Sequence, residues 1–138
     1  MALLKTKVSR PEFDEVIALI EQATSIVVCV HTSPDGDAIG SGLALSSIIQ
    51  RRWPEKAVTN LLADADGEVP RIYQFLEGAD SFVPANKYVG TPDLFICVDL
   101  SSSGRLADAE PLMHRSKMVA VLDHHPYNEV YWNAGLVR

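Results

Sequence analysis

The chain has 138 residues, 47% of them hydrophobic and 22% charged, and Lys+Arg 12 against Asp+Glu 18 gives a net charge of −6. That is one domain's length with ordinary globular usage, which excludes a disordered chain and needs neither disulfides nor a structural metal to fold. The acidic balance argues against wrapping long duplex nucleic acid and against binding an anionic membrane; a short phosphate-bearing ligand reached through metal ions stays open.

Ser9 followed by Glu12, with Pro11 in the first turn, is a capping-box pattern that predicts a helix start. Phe13, Val16, Ile17 and Ile20 then recur at helical spacing and predict one core-facing stripe. Ser25 to Val30 is a short, continuous, β-branched run, the pattern of a strand buried on both faces in a parallel sheet. A polar turn from His31 to Asp37 leads into a second helix carrying Ile39, Leu43, Ile48 and Ile49, which Trp53-Pro54 stops. Arg51 and Arg52 at its end suit the helix dipole. Ala57 to Leu62 predicts a strand, Pro70 to Leu76 a short helix with Gly78 just beyond it, and Leu94 to Val98 and Val119 to Leu122 two further strands.

Strands alternating with helices imply an α/β fold, a mostly parallel sheet with helices on both faces. After Leu122 no helix-length segment remains to cover the last strand, so residues 133–138 read as the stub of missing sequence, or a partner supplies the cover. Cys29 and Cys97 both sit in apolar runs and read as buried free thiols of a reducing compartment, which with no signal peptide and no membrane-length apolar run implies a soluble, cytoplasmic protein. His114 reads as a surface histidine.

The chemistry collects where strands end. The first strand is followed by His31-Thr32-Ser33-Pro34-Asp35-Gly36-Asp37, the strand ending at Val98 by Asp99, and the strand ending at Leu122 by Asp123-His124-His125. Ligands of open parallel sheets bind beyond the carboxyl ends of the strands, so parallel strands would bring all these groups to one rim. Mixed imidazole and carboxylate ligands without cysteine suit Mn²⁺, with Zn²⁺, Fe²⁺ or Co²⁺ as competitors. Four clustered carboxylates would repel one another without one or two divalent cations between them. Two such cations roughly 3.5–4 Å apart can activate a water for in-line attack on phosphorus. Gly36 lets a tight turn aim Asp35 and Asp37 at adjacent cations. Gly40 and Ser41 open a helix whose amides could meet a phosphate or whose glycine could pack closely on the sheet, and Arg105 could pair with phosphate or with a carboxylate.

His31-x-x-x-Asp35-x-Asp37-Ala38-Ile39-Gly40-Ser41, then Val98-Asp99, then Asp123-His124-His125 resemble the first three motifs of the DHH phosphoesterase family, over about residues 26–128. Val69-Pro70-x-x-Tyr73-x-Phe75-Leu76 resembles the segment between motifs in its nanoRNase and pAp phosphatase branch. The resemblance implies that His31 and Asp35 hold a first metal, that Asp37 and His124 hold a second, and that Asp99 bridges them. His125 would face the substrate phosphate as donor or leaving-group acid, and Asp123 would orient a ligand histidine. It further implies a Mn²⁺-dependent phosphodiesterase or phosphatase acting on short oligonucleotides or pAp-type nucleotides. Cyclic-dinucleotide hydrolysis, or a metal-binding module without catalysis, are the alternatives. A fourth motif and a C-terminal substrate-binding domain have no counterpart in these residues, so residues 1–138 resemble the N-terminal metal-binding part of a larger enzyme, whose full-length form could be a homodimer.

Overall fold

The computed structural model describes residues 11–64, 67–100, 103–124 and 130–137. Six strands form one sheet: β1 (Ser25–Val30), β2 (Ala57–Leu62), β3 (Phe82–Pro84), β4 (Leu94–Val98), β5 (Met118–Asp123) and β6 (Ala134–Val137). All neighbouring pairs run parallel, in the order β3-β2-β1-β4-β5-β6. The chain therefore builds outward from β1 through β2 to β3, returns to β4 on the other side of β1, and builds outward again. The reversal puts a topological switch point between β1 and β4, where an open sheet leaves a crevice at its carboxyl edge.

The apolar runs were expected to be buried on both faces, and they are. Every residue of β4 is buried, and so are Ile26 to Val30 of β1. Alternate side chains feed two cores. Val28, Val30 and Ile96 join the layer under α1 (Pro11–Gln22) and α2 (Gly36–Arg52). Val27, Phe95 and Val121 join the opposite layer, with Leu106 of the 3₁₀ segment Ser103–Ala109 and Met113 of α3 (Glu110–Arg115). Each large side chain so buried is worth roughly 1.5–3 kcal/mol, so this double-sided core can carry strained residues on its rim. Asp93 ties β1 to β4 just before the latter begins: its Oδ2 accepts from the amide (2.9 Å) and hydroxyl (2.7 Å) of Thr24 and from the Ser25 amide (3.3 Å).

Several expectations need correction. The sequence reading assigns no strand after Leu122, yet Ala134–Val137 forms β6, paired with β5 from Ala120 onward. Asn133 sets that pairing, its amide donating to the Val119 carbonyl at 2.9 Å and its Oδ1 accepting from the Val119 amide at 2.8 Å. The cover comes from the chain's own α1, which packs mainly on β6. Only Val16 and Ile20 of α1 are buried, while Phe13 and Ile17 are 40% and 45% exposed, because a helix over a sheet edge needs only a narrow stripe. Ser9, the expected cap, lies outside the described residues. Ile48 of α2 is likewise exposed. The expected helix at 70–76 is a single 3₁₀ turn, Arg71–Tyr73, since Pro70 precedes it and no apolar periodicity follows to extend it.

Candidate metal centre

β1 delivers His31 and β4 delivers Asp99 side by side at the switch point. The two are 2% and 5% exposed, with Nε2 of His31 3.6 Å from Oδ2 of Asp99. Asp99 sits at φ +60, a left-handed conformation that costs most residues energy and that aspartate tolerates better than most. Its amide donates to the Leu122 carbonyl at 2.9 Å, tying the turn after β4 to the end of β5. Asp35 caps α2, its Oδ1 accepting from the Ala38 amide at 2.9 Å and lying 3.8 Å from Nε2 of His31. That amide is the largest cause holding the Asp35 carboxyl below its usual range; burial opposes it, while the His31 charge, a hydrogen bond shared with Asp99 and the Arg105 charge reinforce it.

One residue beyond Gly36, Asp37 turns its Oδ2 to within 3.1 Å of Nε2 of His124, whose same nitrogen lies 2.8 Å from Oδ1 of Asp99. The hydrogen bond to Asp99 is the main cause raising the His124 pKa above its ordinary value, with the Asp99, Asp37 and Asp123 charges adding and burial opposing. Asp123, the last residue of β5, is buried and lines a cavity of about 220 Å³ with Asp37, Ser41, Asp99 and His124. His125 lies outside the described residues.

Two sets of ligand atoms result, His31/Asp35/Asp99 and Asp37/Asp99/His124, each with its atoms within 4.8 Å of one another. Asp99 belongs to both. Three carboxylates and two imidazoles in this space fit a pair of divalent cations: the donor set is N/O without thiolate, and within each set the ligand atoms, two carboxylates among them, lie within 4.8 Å of one another. The described residues thus include groups able to hold metal.

The structure also places the other residues that the sequence singles out. The Ser41 hydroxyl donates to Oδ1 of Asp37 at 3.2 Å, so it braces a carboxylate. Nη2 of Arg105 lies 2.9 Å from Nδ1 of His31, and its charge helps to hold the Asp35 carboxyl down. The close-packed glycine of α2 is Gly42, where a Cβ would come within 3.2 Å of Val30, and a Cβ at Gly40 would meet nothing. His114 is on the surface as expected, 3.2 Å from Glu110 one helical turn back. The thiols are fully buried; burial pushes Cys29 well up and Cys97 to about 12, which leaves both inert at neutral pH.

Two supporting residues went unread in the sequence. Asp64, just past β2, accepts from the Ser33 amide at 3.2 Å and so fixes the loop carrying His31 and Asp35; its place after a strand, like that of Asp99, was the available signal. The Tyr73 ring closes over Gly36, where a Cβ would lie 3.2 Å from its Cε1, so a side chain in the turn between Asp35 and Asp37 would require the ring to shift by a few tenths of an ångström. Nothing in the sequence announces that contact.

Residues 25–136 match the DHH family, N-terminal domain, and the chain belongs to that family. It is 29% identical over 119 residues to a Mycoplasma pneumoniae protein named bifunctional oligoribonuclease and PAP phosphatase NrnA, covering 81% of this chain and 34% of that one. A Streptococcus mutans protein named as a probable enzyme of the same kind is 28% identical over 125 residues, covering 91% of this chain and 37% of that one. The chain thus spans about a third of the length of these relatives. The crystal structure of an exopolyphosphatase-related protein from Bacteroides fragilis superposes with a TM-score of 0.82 at 25% identity, over 96% of this chain and 40% of that one. Among the described residues no helix is long and apolar enough to cross a membrane.

Proposed function

We propose that this chain is the metal-binding domain of a phosphoesterase that hydrolyses short oligonucleotides and pAp-type nucleotides with two Mn²⁺ ions. The observation that carries it is Asp99, one buried carboxylate shared by two ligand sets. His31, Asp35 and Asp99 would hold one ion, and Asp37, Asp99 and His124 the other. Bound there, the pair supplies Lewis acidity and lowers the pKa of a water, the requirement for attack on a phosphoester at neutral pH. Asp35, fixed as the α2 cap, and Asp37, braced by Ser41, hold their carboxylates in place before any ion arrives. Asp123 positions His124 from behind, and His125 handles the proton of the leaving oxygen. The names carried by the relatives support the substrate class, and two buried thiols suit a reducing cytoplasm.

Positioning of a substrate between two walls supplies several kcal/mol of barrier lowering. These 138 residues offer one wall, so we infer that they load metal yet turn over slowly alone. The test is hydrolysis of pAp and of short RNA, with cyclic di-AMP for comparison, by a protein carrying this domain, in Mn²⁺ and after chelation. Release of phosphate from pAp and of mononucleotide from RNA, both abolished by chelation, is expected. Activity that survives chelation would refute the proposal.

A further inference from the structure

Tyr73 brings a phenol to the turn that carries one carboxylate of each ligand set. In the 3₁₀ turn Arg71–Tyr73, side chains three residues apart share a side. Tyr73 and Leu76 are so related, and both pack against the core layer under α2. The segment is closed at both ends: the Tyr73 amide donates to the Pro70 carbonyl at 2.9 Å, the Leu76 amide to the Tyr73 carbonyl at 3.1 Å, and Nε2 of Gln74 to the Val69 carbonyl at 3.0 Å. What the ring meets is Gly36, where a Cβ would lie 3.2 Å from Cε1 and 3.6 Å from both Cζ and the hydroxyl oxygen. Gly36 does not take a positive φ, so its backbone makes no demand for glycine; the close approach of the ring does.

The phenol O–H is a donor in search of an acceptor. The carboxylates on either side of Gly36 are engaged elsewhere: Oδ1 of Asp37 accepts from Ser41, its Oδ2 faces His124, and Oδ1 of Asp35 accepts from the Ala38 amide. Among the described residues no group accepts from the Tyr73 hydroxyl, and the side chain is only half-buried, so its proton is left for water or for a ligand. The three carboxylates of the site are outweighed by two divalent cations, so the loaded centre attracts an anion. Phosphate oxygens that do not sit on a cation then need hydrogen-bond donors. A phenol is a donor without charge, and it can meet such an oxygen without repelling the ions.

We propose that Tyr73 is a substrate-binding residue whose hydroxyl donates to a non-bridging oxygen of the phosphate held at the metal centre. The proposal rests on the phosphoesterase reading above and adds to it an uncharged side chain that orients the phosphate. Two other roles make different demands. A ring that only fills the space over Gly36 would serve equally well as phenylalanine. A hydroxyl that braced a ligand carboxylate would weaken metal binding when removed.

The experiment titrates the wild-type chain and Tyr73→Phe with Mn²⁺, followed by electron paramagnetic resonance. The loaded proteins are then titrated with AMP and with methyl phosphate, which carries a phosphate and no nucleoside. Tyr73→Phe keeps the ring over Gly36, so urea unfolding of the two metal-free proteins should give the same midpoint. Mn²⁺ affinity should agree within about twofold, since no charge is removed, while AMP and methyl phosphate both bind about tenfold more weakly, the size of one lost hydrogen bond to a charged group. Unchanged binding of both ligands overturns the proposal. A lower unfolding midpoint or weakened Mn²⁺ binding makes the hydroxyl a structural brace and overturns it as well. Weaker AMP binding with methyl phosphate unchanged puts the hydroxyl on the nucleoside and overturns the phosphate contact. A wild type that loads Mn²⁺ yet binds neither ligand also overturns it, and one that takes up no Mn²⁺ overturns it together with the phosphoesterase reading. The expected pattern in a protein whose full-length form hydrolyses no phosphoester leaves the contact standing and removes that reading alone.

Discussion

Asp99→Asn separates what this residue does for metal from what it does for the fold. Asparagine is nearly isosteric and tolerates the +60 φ of this position, so the backbone turn after β4 should survive, which an alanine would strain by roughly 1–2 kcal/mol. The amide keeps one oxygen and loses the charge. Asp99 is 5% exposed, and among the described residues each proposed ion meets two carboxylates, Asp99 being one of them in both cases. Removing one partner of a buried ion pair costs about 3–5 kcal/mol, or roughly two to three and a half decades of affinity, and here both ions lose that partner. Without metal the sign should differ. The substitution forfeits a contact with His124, whose side chain is 64% exposed, while relieving repulsion from Asp35 and Asp37, so metal-free stability should stay within about 1 kcal/mol of wild type. Mn²⁺ binding isotherms together with urea unfolding of the metal-free proteins check both halves. Loss of one ion with the other at wild-type affinity would refute the shared-ligand geometry, and a large loss of metal-free stability would show that Asp99 is primarily structural.

Asp123→Asn should weaken metal binding about 10–100-fold while both ions remain detectable at saturation, a shallower loss than in Asp99→Asn on the same isotherms. Asp93→Ala removes the acceptor for Thr24, Ser25 and Lys117 and should cost about 2–3 kcal/mol in urea unfolding at pH 7. The Thr24 hydroxyl, then its amide, then Lys117 and the Ser25 amide hold the Asp93 carboxyl far below its usual range, with burial opposing. A depressed folded-state pKa contributes stability that is fully present above the unfolded value near pH 4 and is lost as pH falls below it, so the gap between wild type and Asp93→Ala should narrow from about pH 4 downward. Lys56→Met should cost about 1–3 kcal/mol by calorimetry, because the buried Lys56 ammonium donates to the Glu21 carbonyl at 2.9 Å and to the Ala23 carbonyl, closing the end of α1.

Four strands were legible because burial on both faces leaves a local trace. Ser25 to Val30, Ala57 to Leu62 and Leu94 to Val98 occupy the expected bounds, and the strand expected from Val119 runs one residue further at each end. The grouping of the candidate ligands was legible for a related reason. Parallel strands expose their carboxyl ends on one edge, so His31, Asp35, Asp37, Asp99 and His124 could be grouped by what they follow, without knowing the strand order. Short elements left no such trace: Phe82–Pro84, Glu110–Arg115 and Ala134–Val137 have too few residues for a period, and they exist because a neighbouring strand or core layer selects them. The same holds for α1, where apolar spacing specifies a helix but only the position over β6 decides that Val16 and Ile20 are buried while Phe13 and Ile17 are not. What the tertiary structure alone decided are the contacts between residues far apart in the chain. Arg105 meets His31 across 74 residues, Ser33 meets Asp64 across 31, and Tyr73 closes on Gly36. Residue type and local period report which side chains want burial or a cation; which two of them touch depends on strand order and register, and these are set by the packing of the whole sheet.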